Sequence, residues 1–225
     1  LANLRAAGLP AKGFDIRPIP GVETDVARFA EGLTTVFTVV RDSDETDALL
    51  FEKQALIDQA SQLRTVVISS TLSPRYITRL RARIPAQIAL IDAPMSGAQV
   101  KADAGTLTFM TGGDTRSIMP ALQAMGADIH DMGAVGAGMT AKVLNNLLAA
   151  SHTAMTRLVL DWADSAGVDE ARLLAMINAA SGQNWLASGF DDIELASLVS
   201  PRLTTVHVPR YRLGEELMKG LLRMI

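Results

Sequence analysis

The chain has 225 residues, 48% of them hydrophobic and 20% charged, with a formal net charge of -3 at pH 7. That composition suits a globule with a buried core and gives no electrostatic pull towards nucleic acid or an acidic membrane surface. There is no cysteine, which excludes disulfides, thiolate metal sites and cysteine nucleophiles, and no apolar run of about eighteen residues to span a membrane.

In chain order, residues 2–8 read as the last turns of a helix closed by Gly8. A short strand is expected at Ala11–Phe14, with Asp15 at its end, then a helix around Thr24–Ala30. Thr34–Val40 is a β-branched strand, and Asp42-Ser43-Asp44 starts a helix expected to run to about Ala60. Thr65–Ser69 reads as a buried strand. Ser73-Pro74 caps a helix to about Ile84, and Gln87–Ile91 is a further strand. Thr106–Thr111 alternates as a strand ending at Gly112-Gly113; Asp114 is expected to cap a helix to Met125, before a last strand at Ala127–His130. One long helix from Gly138 to about Ala166 and another over Val168–Ala180 follow.

Alternating short apolar strands and helices specify a parallel sheet covered on both faces. The expected fold is therefore α/β: a doubly wound Rossmann-like domain over residues 1–132, then a mostly helical domain over residues 133–225. Because Leu1 falls inside a helix, the first strand and the phosphate-cradling loop of such a domain are expected to be missing. Little dinucleotide affinity and an unpaired sheet edge are expected as a result.

Lys142, Asn145 and Asn146 lie three and four positions apart on the long helix, so an ammonium and two amides share a face. Such a set can fix a hydroxyl group and exchange its proton, which makes Lys142 the candidate acid/base. Ser96-Gly97-Ala98 is a turn of small residues directly after a strand, where backbone N–H groups can converge on a carboxylate. The histidines His130, His152 and His207 show no metal-ligand spacing, and no metal is expected.

Asp92-Ala-Pro-Met-Ser-Gly-Ala, Ala104-Gly-Thr-Leu and Met110-Thr-Gly-Gly together resemble the substrate signature of the β-hydroxyacid dehydrogenases. Gly136-Ala-Gly138, Lys142 and Asn146 resemble the family's second signature in order and spacing. Ser69-Ser-Thr-Leu-Ser-Pro74 resembles its segment beside the nicotinamide. The resemblance implies that Lys142 is the general acid/base of hydride transfer and that Asn146, with Asn145, orients a small 3-hydroxy acid. Ser96, Gly97 and Ala98 would hold the substrate carboxylate, with Ala98 standing where the family usually has glycine, and Thr71 would lie at the cofactor. Asp15 takes the place of the ribose acid and favours NAD over NADP, an inference that Arg17 two residues on weakens.

Gly136-Ala-Gly138-Met-Thr-Ala141 also fits a dinucleotide fingerprint, but Asp161 and Asp164, at the distance of a ribose acid, fall within a helix, so that reading fails on context. Residues 189–225, with the strand-like Leu203–Pro209 and a final helix, resemble the C-terminal end of LacI-type effector-binding regulators. The expectation is a cytoplasmic NAD-dependent dehydrogenase of a small hydroxy acid, without nucleic-acid or membrane partners, for which the resemblance allows a homo-oligomer. The alternative is a non-catalytic small-molecule-binding or mosaic protein, chimeric or truncated, with a LacI-type tail.

Overall fold

In the computed structural model the described residues are 1–184, and they fall into two compact units that divide between Val143 and Leu144. The first unit opens with α1 (Ala2–Ala6). Gly8, at φ 76°, lets Leu9 N–H donate back to Leu4 O at 3.0 Å and closes the helix. The strand expected at Ala11–Phe14 is reduced to a single parallel bridge between Phe14 and Glu23. Its backbone groups are satisfied locally: Asp15 N–H donates to Glu23 O at 3.1 Å and Glu23 N–H to Gly13 O at 2.9 Å. The segment therefore pairs with the chain that follows it and not with the sheet.

Helix α2 (Val26–Ala30) starts at Asp25, whose carboxylate accepts from the N–H groups of Ala27 and Arg28. Strand β1 (Thr35–Thr38) leads to α3 (Ser43–Leu50), capped by Asp42 through Glu45 N–H, and then to α4 (Leu56–Gln59). The single helix expected from Asp42 to Ala60 is thus broken. On a straight helix Leu50 and Leu56 would point about 120° apart, yet both are completely buried. A left-handed residue at Ala55, φ 43°, re-aims the chain so that both reach the core.

Strand β2 (Thr65–Ile68), helix α5 (Pro74–Arg83) and strand β3 (Ala89–Asp92) complete a parallel sheet of order β1-β2-β3. Val66 pairs with Val36 on one side and Leu90 on the other. Every residue of β2 is buried, as expected of a central parallel strand. Val66 and Ile68 face a cluster with Leu50, Leu56, Ile77 and Leu80, while Val67 faces a second one with Ile91, Phe109 and Leu122. Both faces of the sheet are covered, which is the doubly wound arrangement.

Strand β4 (Met95–Ser96), helix α6 (Ala98–Ala104), strand β5 (Leu107–Thr111), helix α7 (Met119–Met125) and strand β6 (Gly126–Asp131) follow. β4 runs antiparallel to β5, β5 parallel to β6, and an antiparallel bridge from Asp92 to Gly112 joins this sheet to the first. Asp114 does not cap α7. It accepts from Arg116 N–H and pairs with the Arg116 guanidinium, a turn closed by Ile118 N–H on Thr115 O follows, and the helix starts only at Met119-Pro120. Proline in the first turn lacks the N–H that would be orphaned there, which places the start.

Helix α8 (Ala137–Ser165) begins in the first unit and continues into the second. The second unit adds α9 (Glu170–Ala179), entered through Gly167 at φ 70° and capped by Asp169 on Arg172 N–H. Among the described residues no helix is long and apolar enough to cross a membrane. The resemblance noted from Gly189 onward lies outside the described residues.

Candidate active site

Asp92 ends β3 and is completely buried. One carboxylate oxygen accepts from Gly136 N–H and the other from Met139 N–H, both at 2.6 Å. These are donors of the first turn of α8, which otherwise have no partner within the helix. Burial raises the Asp92 pKa above the ordinary carboxylate value, and the N–H donors of α8 oppose that rise. An anion already holds the start of α8, so the Gly136–Ala141 pattern has no free phosphate cradle, and the rejected fingerprint fails in the structure for that reason.

Met139 is also fully buried, and its sulfur accepts from Leu72 N–H at 3.1 Å. The Ser70-Thr71-Leu72 loop is thereby fastened to the same helix turn. Thr71 itself is exposed. Lys142 follows Met139 by three residues and is only 8% exposed. Among the described residues it has no hydrogen-bond acceptor and no counter-ion, and burial pushes its pKa below the ordinary lysine value. A buried lysine without a paired charge is an unusual expense of stability and a mark of a functional site. Asn145 and Asn146, on the next turn, are both exposed, so the structure separates the three polar residues by burial.

Ser96, half-buried, pairs with Thr108 across β4 and β5. Gly97 takes φ 134°, and Ala98 takes φ 53°, a left-handed backbone rare for an alanine. The resemblance puts glycine at this position, and the backbone here has the conformation that glycine prefers. No side chain caps the start of α6 at Gly97, which leaves its first N–H groups turned to solvent or ligand. Lys101 lies across the turn: a Cβ on Gly97 would fall within 2.6 Å of the Lys101 Cβ. The sequence reading passed over Lys101, although its place one helical turn after Gly97 was a usable signal.

The ends of the parallel strands bear on a nicotinamide cofactor. Val39, just past β1, is 67% exposed, and the Ser69 hydroxyl, just past β2, is buried without a partner. Ligands of open α/β sheets bind outside the carboxyl ends of the strands, and the exposed apolar surface of Val39 there fits the face of a flat ring. At the other end, Asp15 is engaged by Arg17, whose backbone N–H donates at 2.8 Å and whose guanidinium bonds both oxygens. The Arg17 side chain holds the Asp15 carboxyl below the usual range. The carboxylate fits ribose hydroxyls where Arg17 yields it.

A family model described as the NAD-binding domain of 6-phosphogluconate dehydrogenase matches residues 11–152. A second, described as NAD-binding of NADP-dependent 3-hydroxyisobutyrate dehydrogenase, matches residues 136–198 and so includes the start of the segment after Gly189. The first match covers more than half of the chain, and the chain belongs to the β-hydroxyacid dehydrogenase family, with an NAD-binding domain. It is 31% identical to the NAD-dependent L-serine dehydrogenase of Pseudomonas aeruginosa over 69% of this chain and 53% of that protein. It is 30% identical to the L-threonate dehydrogenase of Cupriavidus necator over 82% of this chain and 67% of that one. The crystal structure of 3-hydroxyisobutyrate dehydrogenase from Salmonella typhimurium superposes with a TM-score of 0.69 at 25% identity, covering 82% of this chain and 70% of that one. The chain spans between half and two thirds of the length of the first curated relatives it matches.

Proposed function

We propose that the chain serves the NAD-dependent oxidation of a small 3-hydroxy acid in the cytoplasm, and in reverse the reduction of the corresponding semialdehyde. The observation that carries this reading is Lys142, buried without a counter-charge among the described residues, on a helix fastened to Asp92 and to Leu72 of the nicotinamide-loop segment. Burial favours the neutral amine, and a neutral amine can accept the hydroxyl proton of an alcohol as its C–O bond becomes a carbonyl. In the reverse direction the ammonium returns that proton to the carbonyl oxygen. A nicotinamide held beside this site would supply the acceptor for the hydride that leaves the carbinol carbon.

Ser96, Gly97 and Ala98 hold the substrate carboxylate through the open N–H groups at the start of α6, with the Lys101 ammonium adding positive charge. Asn146 and Asn145 orient the substrate hydroxyl. Thr71 and the strand ends at Val39 and Ser69 receive the nicotinamide, and Asp15 the adenosine ribose. Arg17, beside Asp15, gives a 2′-phosphate a cation to meet, so NADP is the second cofactor of this reading.

Lys142→Ala tests the assignment. Turnover should fall by about 10²–10⁴-fold, the range for a positioned acid/base, with the fold retained by circular dichroism. Turnover within a few-fold of the parent overturns it.

A further inference from the structure

Three sequence segments that lie far apart in the chain meet at one buried carboxylate. Asp92 closes β3, Gly112 follows β5, and Gly136–Met139 starts α8. Asp92 N–H donates to Gly112 O at 3.1 Å and Gly112 N–H returns a bond to Asp92 O at 2.8 Å. A Cβ on Gly112 would run into the Asp92 carboxylate, and one on Gly138 would lie 3.0 Å from the same carboxylate and collide with Met110 O. Gly112 is thus required by close approach to the Asp92 carboxylate and Gly138 chiefly by Met110 O beside it, and neither has a left-handed φ.

We propose that Asp92 is a positioning residue for Lys142: its carboxylate fastens the first turn of α8 to the ends of β3 and β5 and so holds the lysine in its buried place. The proposal rests on Lys142 being the acid/base of the reaction. The bonds from Gly136 and Met139 fix the helix at its start, and Lys142 is the next residue on the Met139 face, about 4.5 Å further along the axis. No lysine or arginine among the described residues pairs with Asp92. The first turn of α8 carries no acidic residue and Gly112-Gly113 no charge, so the helix N–H groups are what satisfy the carboxylate. Each of its oxygens accepts an N–H from the start of α8, so both ends of the carboxylate hold the helix.

The test reads Lys142 directly, without turnover. The full chain is labelled with a trace of acetic anhydride, and acetylation of Lys142 is measured by mass spectrometry against the exposed Lys53 and Lys101 of the same molecules. In the parent, Lys142 should label far more slowly than either standard. Asp92→Ala removes the acceptor, and Gly138→Ala keeps the carboxylate but pushes the helix off it. Each should raise Lys142 labelling by about tenfold or more while the chain stays folded, as a local opening does. Unchanged labelling in a folded variant overturns the proposal. Should neither variant fold, hydrogen exchange on the parent decides: Gly136 and Met139 amides must be protected, and exchange at the rate of free peptide overturns the proposal. Lys142→Ala with undiminished turnover would remove the acid/base reading, yet leave the labelling result standing as evidence on the helix anchor alone.

Discussion

Replacing Ala98 by glycine should stabilise the protein, against the usual direction of that substitution. Ala98 sits at φ 53°, and the left-handed conformation costs an L-residue about 1–2 kcal/mol through the approach of its Cβ to the following carbonyl oxygen. Glycine removes that cost but carries about 0.5–1 kcal/mol of extra unfolded-chain entropy. The net gain is about 0.7 kcal/mol, or about 2 °C in Tm for a cooperative unit of this size. Differential scanning calorimetry on Ala98→Gly should be run beside two references. Ala55→Gly, at the other left-handed alanine, φ 43°, should shift Tm the same way. Ala82→Gly, exposed within α5, should lower stability by about 0.5–1 kcal/mol. A loss for Ala98→Gly as large as that for Ala82→Gly would refute the left-handed backbone at the turn and, with it, the geometry proposed for carboxylate binding.

Two further outcomes test the ligand assignments. Asp15→Ala should weaken NADH and strengthen NADPH in parallel titrations, because it removes a ribose acceptor and frees the Arg17 guanidinium it engages; equal effects on both would mean that Asp15 does not face the ribose. Lys101→Ala should raise KM for the hydroxy acid by about two- to fivefold, the worth of an exposed charge, and leave the NADH Kd unchanged; an unchanged KM would place the carboxylate elsewhere.

What was legible in the sequence was local. Asp42, read as a helix start, accepts from Glu45 N–H three residues ahead, and such short-range bonds are written in the residue order itself. The run that forms β2 was equally plain, since a strand covered on both faces shows as unbroken β-branched residues. The break at Ala55 was not legible, because it depends on where the core lies relative to Leu50 and Leu56. Nor was the local pairing of Phe14 with Glu23, which competes with the sheet for the same backbone groups. Asp92 stood in view as the first residue of a signature, but its partners Gly136 and Met139 are 44 and 47 residues away. Periodicity carries no information at that range. For the same reason Lys142 could be named from its motif while its burial could not: helical spacing puts Asn145 and Asn146 on its face, yet they are exposed where it is buried.

The burial of Lys142 should cost stability in proportion to its charge, and that cost can be measured. In the folded chain desolvation lowers its pKa below the ordinary 10.5, whereas in the unfolded chain the side chain is hydrated. Between the lowered value and 10.5 the unfolded state binds more protons than the folded state, so stability from this group rises with pH across that window. Below the lowered value both states are charged and the desolvation cost acts against folding. Lys142→Met keeps an unbranched side chain of similar length and removes the charge. It should lower turnover by about 10²–10⁴-fold, as Lys142→Ala should, and raise Tm at neutral pH, by about 2–4 °C for each kcal/mol recovered. The advantage should shrink as pH is raised towards 10.5, where the parent lysine folds in its neutral form. Thermal melts of both proteins from pH 7 to pH 10.5 would show the two curves converging. Parallel curves, or a lower Tm for the methionine variant at every pH, would mean that the ammonium is not desolvated in the folded protein, and a lysine at ease in water would have no reason to give up its proton to serve as a base.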